Sequence, residues 1–211
     1  MTKTHQEYFN SLNPNHPTPS ERIDIYIPVV VEGKVLFDGN KRKHDVQGDR
    51  IQHIDINNKS VIDVGCNTGY ISFRLAERGA SNVLAIDVKD DLIKLGNTIK
   101  EIDGVTNIDF LKMDKGELVK PDCEVRNNPN FPFDIGLLMS NWHYDLCIQE
   151  LNQYRGYATV WYIEPTNHEP HYKTKEEIID WGTHELSKLG DVEFLTFTDY
   201  QHRGMFKLTI K

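Results

Sequence analysis

From residue 60 onward the chain alternates short apolar runs with amphipathic segments. Ser60-Val61-Ile62-Asp63-Val64 is short and β-branched, which predicts a buried strand. Thr68 to Arg78 follows as a helix packing through Ile71, Leu75 and Ala76, closed by Gly79. Asn82 to Asp87 predicts the next strand. Asp90 or Asp91 then caps a helix with Leu92, Leu95, Ile99 and Ile102 on one face and Gly104 at its end. Asn107 to Met113 and Phe133 to Met139 predict two further strands, separated by the polar loop KGELVKPDCEVRNNPNFP. A helix over 145–154 and a strand over 158–163 come next. Thr174-Lys-Glu-Glu177 is a capping box, which predicts a helix over 175–189 with Gly190 just past its end. Val192 to Phe197 and Met205 to Ile210 differ from everything before them, because the short polar link TDYQHRG suits a hairpin and not a crossover helix. The fold class is therefore α/β, a doubly wound, mostly parallel seven-stranded sheet with a C-terminal antiparallel strand.

The region before residue 60 is less patterned. Residues 1 to about 20 are rich in Pro, Asn, Ser and Thr and read as a flexible lead-in. Residues 24–37, DIYIPVVVEGKVLF, read as a hairpin or a strand laid against the domain, and part of 41–54 as a helix with Val46, Ile51 and Ile54 on its apolar side. The expected organisation is an N-terminal extension over 1–40, partly flexible, and one domain over 41–211.

Bulk properties narrow the function classes. A hydrophobic content of 38% supports a packed core, and a mean hydropathy of −0.53 argues against a membrane protein. The first twenty residues carry neither the apolar core of a signal peptide nor a basic transit helix, so a cytoplasmic location is expected. Cys66, Cys123 and Cys147 form no CxxC pair, which gives no support to a disulfide framework or a zinc site. A net charge of −8 offers no general attraction to nucleic acid. The one dense basic run, Lys41-Arg42-Lys43-His44 extended by Arg50, fits a solvated helix face better than a phosphate-binding patch.

The stretch VIDVGCNTGY (61–70) holds the main chemical signal. In an open α/β sheet the turn after the first strand is where ligands bind, and glycines there let backbone approach them. A dinucleotide fingerprint would need G-x-G-x-x-G, whereas the order here is Gly65-x-Asn67-x-Gly69, with Asp63 two residues before. The pattern resembles motif I of the class I S-adenosylmethionine-dependent methyltransferases, with Asn67 in place of the middle glycine. Asn tolerates left-handed backbone, so the loop is expected to keep its shape. The resemblance covers residues 60–210 and implies a Rossmann-like sheet, methyltransferase activity and S-adenosylmethionine as cofactor. It also implies roles for single residues. Asp63 orients the methionine ammonium, while Gly65, Cys66, Asn67 and Gly69 form the loop. Asp87 holds the ribose hydroxyls, Val88 covers the adenine, Met113 and Asp114 meet its edge, and Met139 borders the site. Any one of the three acids could instead cap a loop; all three at strand ends, in order, make coincidence a poor explanation.

The acceptor side follows the fourth and fifth strands, with Ser140-Asn-Trp-His-Tyr-Asp145 and Glu164-Pro-Thr-Asn-His-Glu-Pro-His171. His143 is the first choice for a general base, with a helix cap as the bland alternative. Glu164 is a second base, a substrate anchor, or a partner for a backbone amide. His143, Glu164, His168 and His171 could converge on a divalent metal, but no local metal motif accompanies them, and no metal is assigned. Trp142 and Tyr144 could shape an aromatic pocket; Trp161 and Tyr162 read as core. Asn-Pro-Pro-Tyr and Asp-Pro-Pro-Tyr are absent, which lowers the odds of methylation on adenine or glutamine. The expected partner is a small-molecule acceptor, methylated on oxygen or nitrogen, with no membrane partner. RNA methylation, with Lys41, Arg42, Lys43 and Arg50 on phosphates, and a non-catalytic cofactor-binding role are the alternatives.

Overall fold

A computed structural model describes residues 28–37, 50–139, 142–168, 170–198 and 203–211. Five strands run parallel: β3 (Ser60–Val64), β4 (Asn82–Asp87), β5 (Ile108–Lys112), β6 (Phe133–Met139) and β7 (Ala158–Glu164). Beyond them β9 (Arg203–Ile210) lies antiparallel between β7 and β8 (Gly190–Thr198), giving the order β5-β4-β3-β6-β7-β9-β8. The expected seven-stranded sheet with one antiparallel strand is thus present. Successive strands leave β3 in one direction as far as β5, and the chain then returns to place β6 on the other side of β3. That reversal opens a crevice at the carboxyl ends of β3 and β6.

Both faces of the sheet are covered, which is why all five residues of β3 are buried. Ile62 and Val64 pack with Leu84, Ile86, Cys147, Leu151, Ile178 and Trp181 on the side of α4 (Tyr144–Tyr154) and α5 (Lys175–His184). Val61 packs with Val83, Ala85, Ile71 and Leu75 on the side of α1 (Tyr70–Glu77). Alternation along the strand therefore turns Asp63 toward α1. A separate hairpin, β1 (Val29–Val31) and β2 (Lys34–Phe37), turns through Glu32 and Gly33, both at positive φ, and lays Val29 and Val31 on Leu92, Leu95 and Ile99 of α2 (Asp90–Asp103).

Several expectations change at element ends. Lys89 is the N-cap of α2 and makes no side-chain cap; Asp90 and Asp91 sit in the first turn, where carboxylates suit the helix dipole. The polar loop after β5 contains a short helix, α3 (Lys115–Leu118), opened by an Asp114/Glu117 capping box, and a 3-10 turn over Glu124–Asn127. The Thr174 capping box opens α5, but α5 ends at His184 and a 3-10 turn, Leu186–Lys188, follows. Gly190 then opens β8, where a Cβ would lie 2.0 Å from the Thr209 carbonyl oxygen. The predicted helix over 41–54 lies largely outside the described residues; Arg50 and Ile51 are helical, and Ile51 and Ile54 are buried. The expected boundary between residues 40 and 41 also falls outside them. Among the described residues no helix is long and apolar enough to cross a membrane.

Candidate active site

The loop from β3 to α1 is a succession of left-handed residues: Gly65 at φ 78°, Asn67 at 55° and Gly69 at 82°. Asn67 adopts the backbone shape that a middle glycine would take, and its own side-chain oxygen accepts from the Thr68 amide at 2.9 Å. The amides of Gly65 and Cys66 donate to the Ile86 carbonyl at 2.8 and 2.9 Å, which ties the loop to β4. Gly69 has a different reason from the one its spacing suggests. A Cβ there would lie 2.5 Å from the Phe110 ring, so the missing side chain leaves room for helix-to-sheet packing.

Asp87, at the end of β4, accepts from the Asn67 amide at 2.9 Å through one carboxylate oxygen and from the Lys89 amide at 3.0 Å through the other. It lines a cavity of about 270 Å³ together with Val64, Gly65, Val88, Met113, Asp114 and Trp142. Val88 is 53% exposed on this rim, whereas Met113 is buried in its wall. Asp114 faces the cavity but is also a cap, accepting from the Gly116 amide at 2.8 Å. An apolar hollow with a carboxylate at its rim suits an adenosine, whose base is flat and whose ribose hydroxyls are donors.

Asp63 is buried and accepts from the Ser72 hydroxyl at 2.6 Å. Burial pushes its carboxyl up to about 6, reinforced by the nearby Asp87 and opposed by the Ser72 bond and the charge of Arg50. Cys66 and Met139 point into the core on the α1 side, and burial, with Asp63 and Asp87, pushes the Cys66 thiol far up.

On the acceptor side, His143 stands at the N-cap position of α4 but makes no side-chain cap. Its Nδ1 meets the Thr166 hydroxyl at 2.9 Å, and the Thr166 amide donates to the Trp142 carbonyl at 2.8 Å, so the loops after β6 and β7 are joined twice. His171 lies against the His143 ring with centroids 4.0 Å apart, and His168 meets it edge-on at 5.1 Å. Partial burial, then the charges of His171 and His168, hold the His143 imidazole below its ordinary value, so it is neutral near pH 7. Among the described residues no group of three His, Cys, Asp or Glu side chains is arranged to hold a metal.

Glu164 is not among these histidines. It is fully buried, 2.6 Å from Arg50 Nε and 3.6 Å from Arg203 Nη1, both also buried. A carboxylate clamped between two guanidiniums is poorly suited to take a proton. Arg50 is likewise removed from the solvated face on which the sequence alone put it; Lys41, Arg42 and Lys43 lie outside the described residues. Tyr144 packs edge-on against Trp181 and not into the cavity, and Trp161 and Tyr162 are core residues as expected. Arg203, Thr166 and Ser72 carry no local motif and no sequence signal marked them, and the basic run that marked Arg50 pointed to a different role.

The methyltransferase domain family matches residues 55–164. A Methanocaldococcus jannaschii protein named as a protein N5-glutamine methyltransferase is 33% identical over 81 residues, covering 37% of this chain and 41% of the relative. The ribosomal protein L11 methyltransferase of Porphyromonas gingivalis is 25% identical over 143 residues, covering 67% of this chain and 44% of that one. The aligned segments thus span less than half of these relatives' lengths. In fold the chain resembles an S-adenosylmethionine-dependent methyltransferase from Aquifex aeolicus, with a TM-score of 0.54 at 17% identity over 79% of this chain and 90% of that one. A ribosomal protein L11 methylase from Lactobacillus delbrueckii subsp. bulgaricus gives 0.55 at 13% identity over 82% and 81%. The glycine loop, the strand-end acids and the matched span agree: the chain belongs to the methyltransferase domain family, as a class I S-adenosylmethionine-dependent methyltransferase.

Proposed function

We propose that this methyltransferase acts on an oxygen or nitrogen of a small-molecule acceptor, with His143 as general base. The observation that carries the reading is the His143–Thr166 contact, which fixes a neutral imidazole beside Trp142, a wall residue of the cofactor cavity. The bound cofactor supplies a methyl group on a positively charged sulfur, already activated toward displacement. The protein therefore has to orient the acceptor and accept its proton. Asp87, Val88, Met113 and Asp114 serve the nucleoside end, and Asp63 the methionine ammonium. Glu164 serves as an anchor within the Arg50–Arg203 network and not as a second base. The acceptor loops are tied to each other by the Thr166–Trp142 bond.

A polypeptide acceptor is the second reading, favoured by the names of the L11 and N5-glutamine relatives. RNA is less favoured, because Arg50, one of the residues suggested for phosphate contact, is buried in an ion pair. The deciding experiment incubates the protein with methyl-tritiated cofactor and a cell extract, then separates the products by size and nuclease sensitivity. The expected result is label in the small-molecule fraction. Label retained with protein, or released by nuclease, overturns the small-acceptor reading.

A further inference from the structure

We propose that Arg50 is a positioning residue for the cofactor site. One buried guanidinium, supplied by the segment ahead of β3, holds Glu164 at the end of β7 by contact and Asp63 of β3 by charge. The registers explain how one side chain serves both. Asp63 is aligned with Leu137 of β6, and Glu164 is aligned with Met139, two residues further along the same strand. The two carboxylates therefore flank β6 near the carboxyl edge of the sheet. Arg50 is 2% exposed and its Nε lies 2.6 Å from Glu164. The segment is pinned there by further bonds, from Arg78 Nη1 to the Ile51 carbonyl and from the Asp55 amide to the Tyr162 hydroxyl at 3.3 Å.

The charges around each carboxylate give the arrangement a direction. Asp63 accepts from the Ser72 hydroxyl of α1 and lies within the electrostatic reach of the Asp87 carboxylate of β4, the neutral Cys66 thiol and Arg50. Glu164 faces Arg50 and, from β9, Arg203. Burial and Asp87 favour a protonated Asp63, and the charge of Arg50 opposes them. Glu164 offsets part of that charge, so it sets how strongly Arg50 acts on Asp63. An ionised Asp63 is what a cationic ammonium requires. The residue that governs cofactor binding at neutral pH thus lies ahead of the glycine loop, in a segment whose described residues do not line the cavity.

The inference rests on the cofactor assignment and uses no acceptor, so it stands or falls apart from the small-acceptor reading. Cofactor affinity is measured by calorimetry from pH 5 to 8.5 for the wild type, Arg50→Met, Arg50→Lys and Glu164→Gln. Loss of the cation raises the pH at which affinity is half lost by about one unit in Arg50→Met, and Arg50→Lys restores it. Glu164→Gln moves the midpoint the opposite way, by about half a unit, because the guanidinium is then less offset. Loss of packing alone would not move the two midpoints in opposite directions. An unmoved midpoint in folded Arg50→Met overturns the proposal. If that variant does not fold, an unmoved or raised midpoint in Glu164→Gln overturns it. A wild-type protein that binds no cofactor at any pH removes the cofactor assignment and this inference together.

Discussion

The loop after β3 and the loops after β6 and β7 meet at one edge of one sheet, yet they are made differently. The cofactor loop is built from main chain: three left-handed residues in five, amides donating to Ile86 and Asp87, and a carboxylate one strand away. The acceptor side is built from side chains distant in sequence, with His143 held by Thr166 and Glu164 held by Arg50 and Arg203. A backbone cradle demands particular residues at fixed offsets, whatever the acceptor. A side-chain cluster can be assembled from any loops that the fold brings together.

The comparison is sharpest where one side can be disabled and the other left intact. His143→Gln is expected to lower turnover about 100- to 1,000-fold on the acceptor found in the extract, while cofactor affinity stays within about twofold. A matching loss of affinity would show that the two sides are one unit. Asp87→Ala is the reverse case. It removes a carboxylate that accepts two amides and is proposed to hold the ribose, and is expected to weaken cofactor binding about 100-fold in a direct titration. Turnover at saturating cofactor should then stay close to wild type.

A smaller effect comes from Asp63. Its carboxyl is raised to about 6, so the folded protein without cofactor takes up a proton at a pH where the unfolded chain stays ionised. This group therefore makes the unliganded protein more stable as pH falls from above 6 toward 4, by at most roughly 3 kcal/mol. Cofactor affinity should run the other way, falling about tenfold between pH 7.5 and pH 5 as the ammonium loses its charged partner. Chemical denaturation and cofactor titration over one pH series check the two slopes. Slopes of the same sign would mean that Asp63 does not face the ammonium.

Much of this site was legible because it depends on backbone. Gly65 and Gly69 flanking Asn67, with Asp63 and Asp87 at strand ends, gave the loop and its left-handed Asn, and the structure holds that shape. Legibility ended where a residue had a second partner far along the chain. Gly69 looked like a ligand-approach glycine until Phe110 of β5 was found against it. Asp114 looked like an adenine contact and is also the cap of a helix that the polar composition of its segment concealed. Arg50 looked like the end of a solvated basic run, because charged residues in a polar segment usually are solvated. Its partner, Glu164, lies on the far side of the domain in sequence. The base candidate at His143 followed from its place after β6, but nothing local marked Thr166 as its partner.

The sequence by itself determined the layered sheet, the position of the cofactor crevice and the family. Those follow from periodicity, turn chemistry and main-chain demands, which act over a few neighbouring residues. Only the tertiary structure decided that Glu164 is clamped between two arginines, that His143 is held by a threonine from the neighbouring strand's loop, and that Arg50 is inside. Ion pairs and ring contacts are set by distance in space, and a buried charge is tolerated only where the fold brings it a partner.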